Sequence, residues 1–193
     1  MNIPNKLTVF RAAMVPIFIA IFLIEELPAR LLISAVVFSA LCLTDYIDGK
    51  IARTKGIVTN FGKFLDPLAD KVLVVSALVI MTTLKTYSKP VFIFWLIGII
   101  IILIREFMVS ALRLICVEQG NVIAANIWGK VKTVSQFLSI IVILLTEQIL
   151  AWWPEVPSEI RIVGDAMYAI CVVATIVSGL IYLKQNASGI GEM

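Results

Sequence analysis

The chain has no histidine among its 193 residues. This absence excludes imidazole metal ligands, a histidine general base and phosphohistidine intermediates, because each of them needs that side chain. Charged residues are also scarce, at 15% of the chain, against about 25% in an average soluble domain. Cys42, Cys116 and Cys171 stand far apart inside apolar runs, so we expect neither a disulfide framework nor a thiolate metal site.

Apolar residues are correspondingly abundant in the chain. Hydrophobic residues make up 61% of the chain, and its mean hydropathy is +1.03. Because so few polar residues cannot coat a water-soluble surface, we predict an all-α integral membrane protein with a single domain over residues 1–193. In so apolar a chain, the net charge of +3 favours the lipid bilayer and phosphate groups as partners, not nucleic acid.

Six segments are long and apolar enough to be membrane-spanning helices, which need about 20 mostly apolar residues. The predicted spans are Leu7–Ile24, Leu31–Tyr46, Leu65–Leu84, Val91–Cys116, Ile127–Leu150 and Ile160–Leu183. Trp152 and Trp153, which follow the fifth span, are typical of the aromatic belt at a membrane surface. The sequence therefore predicts six transmembrane helices.

The distribution of basic residues predicts the orientation of these helices. With six spans, only Arg30, Lys85, Lys89 and Arg161 fall on the side opposite to the segment Asp45–Asp70. Cytoplasmic loops carry an excess of lysine and arginine in membrane proteins. We therefore expect a multi-pass protein of the cell membrane, with this segment and both termini in the cytoplasm.

Four aspartates stand close together between the second and third predicted spans. Asp45 and Asp48 are three residues apart and Asp66 and Asp70 four apart, so each pair shares one face of a helix. Carboxylate oxygens suit hard divalent cations such as Mg²⁺. The alternative is a set of solvated helix caps, and Asp66 before Pro67 fits an N-cap. Since carboxylates near membrane depth are costly and usually functional, we favour a metal site.

Small and polar residues in the same segment are consistent with a phosphate ligand. Gly49 and Ala52 share a face with the first two aspartates and leave room for a ligand to approach the backbone. Gly62 offers the same room on the facing helix. Arg53 is well placed to meet a phosphate, and Thr59 adds a hydroxyl.

The whole segment matches the pattern D-x-x-D-G-x-x-A-R-(x8)-G-x-x-x-D-x-x-x-D without a departure. The matched positions are Asp45, Asp48, Gly49, Ala52, Arg53, Gly62, Asp66 and Asp70. This pattern resembles the signature of the CDP-alcohol phosphotransferases, and the six-span layout is similar to that family as well. The resemblance implies an enzyme that uses a CDP-linked donor, with two divalent cations, Mg²⁺ or Mn²⁺, as cofactors.

The resemblance also implies a role for each matched residue. Asp45 and Asp66 would bridge the two metal ions, Asp48 and Asp70 would each complete one metal site, and Asp70 would take the proton of the attacking alcohol. The residues implied to contact CDP-diacylglycerol are Asn5, Lys6, Leu7, Thr8, Gly49, Ala52, Arg53, Thr59 and Gly62. A homodimer is expected because relatives form one.

Basic residues in the fourth and fifth predicted spans bear on the acceptor alcohol. Arg105, Arg113, Lys130 and Lys132 gather near the cytoplasmic end, which suggests a phosphate on the acceptor. The alternative is snorkelling of long cationic side chains from helix ends. Lys130 and Lys132 point to different faces, so we expect only one of them to reach the pocket.

Three further segments bear on which alcohol is used. NIPNKLTVFR, REFMVSALR and GKVKTVSQ resemble the bacterial members of the family that use sn-glycerol 3-phosphate as acceptor. An acceptor such as inositol phosphate stays an alternative, because it also carries a phosphate. An ion transporter is a remote alternative, since its acids would be spread along a path or placed in inverted repeats.

Overall fold

The structure is a computed structural model that describes residues 3–55, 60–84, 88–118 and 127–185. At 3–6, 46, 48–55, 60–70, 114–115 and 117–118 it describes the helical backbone and not the side chains. The helices are α1 (Ile3–Leu23), α2 (Arg30–Lys55), α3 (Asn60–Met81), α4 (Lys89–Glu118), α5 (Ile127–Trp152) and α6 (Arg161–Gln185). A 3₁₀ turn, Ser158–Ile160, precedes α6, and no strand occurs in the described ranges. The prediction of an all-α protein is confirmed for the described residues, which contain six long helices.

Among the residues that the structure describes in full, three helical segments are long and apolar enough to cross a membrane. They are Lys89–Arg113, Ile127–Trp152 and Ser158–Gln185. Leu7–Leu23 and Lys71–Met81 are shorter apolar helices within the described residues. The membrane character expected from composition is therefore supported by the structure, while a crossing by all six helices stays a prediction.

Helices α2 and α3 both extend into the segment that holds the four aspartates. α2 continues past the predicted end at Tyr46 to Lys55, and α3 begins at Asn60, before the predicted start at Leu65. The idea that Asp66 caps a helix is therefore wrong, because it lies beyond the first turn of α3. Asn60, a residue type favoured at helix starts, is the first residue of that helix.

The six helices form a closed ring of neighbours. α1 packs against α2 and α3, α2 against α5, α5 against α6, α6 against α4, and α4 against α3. Three phenylalanines join α1, α2 and α5 inside this ring. The Phe18 and Phe38 rings lie 6.0 Å apart, and the Phe38 and Phe137 rings meet edge to face at 5.9 Å. The core therefore brings segments together that are distant in sequence.

A polar aromatic contact joins α4 to α6. The Trp95 and Tyr168 rings are stacked, with centroids 4.0 Å apart and planes 3° from parallel. The Tyr168 hydroxyl donates to the Trp95 carbonyl oxygen at 2.8 Å, and Trp95 Nε1 donates to Asp165 Oδ1 at 2.9 Å. A Cβ at Gly98 would stand 2.5 Å from the Tyr168 oxygen, so only glycine fits there without rearrangement. This contact sets the register between the two helices.

At the other end of the bundle, a glutamine of α5 holds the start of α2. Oε1 of Gln148 accepts hydrogen bonds from the backbone N–H groups of Leu31 and Leu32 at 3.0 and 3.1 Å. Its Nε2 donates to the Pro28 carbonyl oxygen at 3.0 Å. These bonds satisfy backbone groups at the start of the helix that have no partner within it.

Candidate active site

The helical backbone supports the expected register of the four aspartates. Positions 45 and 48 lie on α2 and share one face of it, as do positions 66 and 70 on α3. Asp45 is the only one of the four with a described side chain. Among the described side chains, no group of three or more His, Cys, Asp or Glu is gathered for a metal. The donor set itself, carboxylate oxygen alone, is the chemistry that Mg²⁺ takes.

Asp45 is tied to the first helix by an ion pair. Nη1 of Arg11 on α1 donates to Oδ1 of Asp45 on α2. The arginine is 1% exposed, whereas the aspartate side chain is 36% exposed. A carboxylate has lone pairs for more than one partner, so this ion pair is compatible with a metal on the same residue. The pair holds the first acid of the signature against α1.

A second contact joins the end of the acidic segment to α4. Lys71, which directly follows Asp70, donates from Nζ to the Ser110 hydroxyl and lies 5.9 Å from the centre of the Phe107 ring. Ser110 stands one helical turn after Glu106 on α4. The acidic segment and the basic part of α4 therefore belong to the same end of the bundle.

Three charged side chains meet between α4 and α5, and we call them the Arg–Glu–Lys cluster: Arg105, Glu106 and Lys132. Nζ of Lys132 is bonded to Oε1 of Glu106, and Nη1 of Arg105 lies 3.6 Å from the same oxygen. The side chains are 3%, 18% and 13% exposed for Lys132, Glu106 and Arg105. Within the described side chains, these two cations and one carboxylate sum to one positive charge.

Arg105 also contacts helix α6. Nη2 of Arg105 donates to the Ser178 hydroxyl at 2.7 Å. A Cβ at Gly179 would stand 3.2 Å from Cγ of Arg105, so the absence of a side chain lets α6 approach closely. The arginine is thereby held between α4 and α6.

The other two predicted acceptor cations lie differently. Lys130 and Arg113 are exposed, whereas Lys132 is buried. Of the two lysines in α5, Lys132 is therefore the one that reaches the interior.

The residues predicted to contact the nucleotide are described to different extents. Leu7 is half-buried, and Thr8 is 1% exposed within α1. Thr59 lies outside the described residues. Only the helical backbone is described at Asn5, Lys6, Gly49, Ala52, Arg53 and Gly62.

Two polar residues in this region are not among the site residues predicted from the sequence. They are Arg11, on α1, and Ser178, on α6. The signal for Arg11 was a charge next to an apolar run, which is costly unless the charge is paired. A single serine in an apolar helix carries no comparable signal, because serine often bonds to its own helix backbone.

A cavity of about 470 Å³ lies at the opposite end of the bundle. Its polar lining includes Glu25, Arg30, Thr83, Glu147 and Arg161. Arg161 pairs with Glu147 there, with Nε 2.7 Å from Oε1. The cavity is therefore remote from both the acidic segment and the Arg–Glu–Lys cluster.

Comparisons with known proteins extend over nearly the whole chain. The family model for CDP-alcohol phosphatidyltransferase matches residues 1–177. A Bacillus subtilis (strain 168) protein named CDP-diacylglycerol–glycerol-3-phosphate 3-phosphatidyltransferase is 37% identical, over 96% of this chain and 95% of its own length. Proteins with the same name are 35% identical in Salmonella typhimurium (95% of this chain, 93% of that protein) and 41% identical in Haemophilus influenzae (72% and 73%).

Proposed function

The chain belongs to the CDP-alcohol phosphatidyltransferase family, and from this membership we propose that it transfers the phosphatidyl group of CDP-diacylglycerol to sn-glycerol 3-phosphate. The products are phosphatidylglycerophosphate and CMP, which makes the protein an enzyme of phospholipid biosynthesis. Relatives that carry this activity in their names match the chain over most of its length.

The observation that carries the acceptor assignment is the excess positive charge of the Arg–Glu–Lys cluster. Lys132 is buried and Arg105 is half-buried, and among the described side chains the carboxylate of Glu106 lies close to both of them. Cations withdrawn from water are costly, so an anionic ligand would stabilise two of them that lie side by side. The phosphate of glycerol 3-phosphate supplies that anion. An acceptor without a phosphate, such as serine, would leave the charge unmatched.

The reaction is a substitution at the phosphorus of the phosphatidyl group. The primary hydroxyl oxygen of the acceptor forms a bond to that phosphorus, and the bond from phosphorus to the bridging oxygen of the diphosphate breaks. CMP leaves with the electron pair of the broken bond. Asp70 takes the proton of the hydroxyl, and a positioned base of this kind contributes about 10²–10⁴-fold to the rate. With no histidine in the chain, a carboxylate is the natural base.

The metal ions are part of the same proposal. Asp45, Asp48, Asp66 and Asp70 hold two divalent cations, Mg²⁺ or Mn²⁺, through carboxylate oxygens. Such ions, when bound, neutralise the charge that develops on the transferred and leaving phosphate oxygens. Arg11 contributes by holding Asp45 against α1, which limits the positions that the carboxylate can take.

The nucleotide pocket lies between the start of α1 and the acidic segment in this proposal. The support is the burial of Thr8 and the packing of α1 against both α2 and α3. The residues proposed to contact CDP-diacylglycerol are Asn5, Lys6, Leu7, Thr8, Gly49, Ala52, Arg53, Thr59 and Gly62. Glycine and alanine allow the diphosphate to approach the helix backbone, and Arg53 pairs with it.

We also propose the membrane arrangement as part of this function. The single domain of residues 1–193 crosses the cell membrane six times, with both termini and the active site in the cytoplasm. The support is the apolar exterior of the helices and the bias of basic residues toward one side. A homodimer is proposed on family membership.

The test is CMP release from CDP-diacylglycerol by the purified protein with Mg²⁺ and one acceptor in each reaction. We expect release with glycerol 3-phosphate and none with serine or inositol phosphate. Release with inositol phosphate alone would keep the reaction type and change the acceptor. If the folded protein released no CMP with any acceptor, the proposal would be overturned. That result would favour the alternative of an ion transporter.

A further inference from the structure

The two carboxylate oxygens of Glu106 differ in their contacts. Oε1 binds Nζ of Lys132 and lies 3.6 Å from Nη1 of Arg105. Among the described residues, no donor is bonded to Oε2. The side chain is 18% exposed, so it is not sealed off from a ligand that enters the cluster. One oxygen of the carboxylate is therefore occupied by the protein, and the other is available to a ligand.

A carboxylate is an unexpected component of a phosphate site. It repels the phosphate and cancels half of the positive charge of its two neighbours. A site for phosphate alone would bind more tightly without it. The presence of Glu106 therefore calls for a function besides phosphate binding, either in orienting the cations or in binding another part of the ligand.

The chemistry of the three side chains matches a ligand that carries both a phosphate and a hydroxyl. Arg105 and Lys132 can only donate hydrogen bonds, and a phosphate accepts them. An ionised Glu106 can only accept, and an alcohol hydroxyl can donate to it. Because sn-glycerol 3-phosphate has one hydroxyl that reacts and a second that does not, the second is available for this contact.

We propose that Oε2 of Glu106 accepts a hydrogen bond from the unreactive hydroxyl of the phosphorylated acceptor, and that Glu106 thereby selects polyol phosphates over phosphates of simpler alcohols. This inference rests on the proposed function, in which the cluster binds the acceptor. A hydrogen bond to a charged group contributes about 1.5–3 kcal/mol, which corresponds to about 10- to 100-fold in specificity.

The experiment compares two acceptors that differ only in this hydroxyl: sn-glycerol 3-phosphate and 1,3-propanediol monophosphate. We would measure kcat/KM for each with wild-type protein, Glu106→Gln and Glu106→Ala. The matched control is Glu147→Gln, which changes another arginine-paired glutamate, at the opposite end of the bundle. The readout is the ratio of the two kcat/KM values within one variant. General damage to the protein lowers both values by the same factor and therefore leaves their ratio unchanged.

We expect wild-type protein and Glu147→Gln to prefer glycerol 3-phosphate by about 10- to 100-fold. Glu106→Ala should lose this preference, because no acceptor atom is left at the position of Oε2. Glu106→Gln should retain only part of it. Its amide oxygen is held by Lys132, which can only donate, so its neutral NH₂ group meets the hydroxyl.

The outcomes separate this inference from the proposed function. Equal kcat/KM values for the two acceptors in wild-type protein would overturn the assignment of Glu106 and leave the transferase reaction intact. An unchanged preference for glycerol 3-phosphate in Glu106→Ala would also overturn the assignment of Glu106. In that case Glu106 would serve only to orient the two cations. Absence of CMP release with glycerol 3-phosphate in wild-type protein would instead refute the proposed function. If neither variant folds, the wild-type comparison still decides whether the hydroxyl is recognised.

Discussion

Arg11 and Asp45 stand 34 positions apart in the chain and form an ion pair between α1 and α2. The arginine is almost completely buried, and the aspartate is the first acid of the family signature. The pair therefore connects the packing of α1 to the position of a proposed metal ligand. Its consequences for both stability and activity can be measured.

We predict that Arg11→Ala lowers both stability and activity. The free energy of unfolding should fall by about 1–3 kcal/mol, which is below the usual cost of breaking a fully buried ion pair because Asp45 is partly exposed. CMP release per folded molecule should fall at least tenfold, because Asp45 is no longer held against α1. Thermal unfolding in detergent and the CMP assay measure the two effects.

Arg161→Ala is the control for Arg11→Ala, since it removes a comparable arginine–carboxylate pair far from the site. It should reduce stability with a much smaller loss of CMP release per folded molecule. Equal losses of activity in the two variants would show that Arg11 has no particular role at the site.

Asp70→Asn should abolish turnover while CDP-diacylglycerol still binds. The amide has no basic oxygen to take the proton of the acceptor, and loss of a positioned base costs about 10²–10⁴-fold. CMP release measures turnover, and the shift in unfolding temperature with added CDP-diacylglycerol measures binding. Asp165→Asn, on α6 and bonded to Trp95, is the matched control and should keep turnover. Near-normal release from Asp70→Asn would refute the assignment of the base.

Lys132→Met should raise the KM for glycerol 3-phosphate about tenfold or more and leave the KM for CDP-diacylglycerol unchanged. The methionine keeps most of the apolar stem and removes the charge that the phosphate would meet. Lys130→Met is the matched control, because its lysine lies two positions away on the exposed face of α5. Steady-state kinetics with each substrate varied in turn distinguish the effects. A similar rise of KM for both substrates would show that Lys132 has only a structural role.

Gly98→Ala should destabilise the protein by about 1–3 kcal/mol, because its Cβ would clash with the Tyr168 ring and hydroxyl. Gly129→Ala is the control, since the nearest atom to its Cβ would be Nη2 of Arg105 at 3.9 Å. This second change should be neutral or slightly stabilising, as alanine has the higher helix propensity. Thermal unfolding in detergent compares the two, and equal stability would show that α4 and α6 can separate at little cost.

Removal of divalent cations should abolish CMP release, and Mg²⁺ or Mn²⁺ should restore it. The expectation follows from four aspartates at the spacing that places each pair on one helix face. Dialysis against chelator followed by metal titration is the measurement, with Ca²⁺ as a comparison ion of larger radius. Full activity in excess chelator would rule out the metal mechanism.

The helices and the chemical class of the site followed from local features of the sequence. Long apolar segments predict helices because a backbone in lipid must satisfy its own hydrogen bonds. The eight signature positions predict the family because their residue types and spacing match its sequence pattern. Helix boundaries were less accurate around the acidic segment, where the predicted spans end at Tyr46 and begin at Leu65, whereas α2 continues to Lys55 and α3 begins at Asn60.

What the sequence by itself determined is therefore an all-helical, membrane-type chain with an acidic signature and a set of basic residues in α4 and α5. Only the tertiary structure decided which of these charges are buried together. Lys130 and Lys132 are the same residue type two positions apart, yet their exposure differs because one face of α5 packs in the bundle. The contacts of Arg11 with Asp45, and of Arg105 with Ser178, join residues 34 and 73 positions apart. Such contacts depend on how the helices pack, and local sequence does not specify that packing.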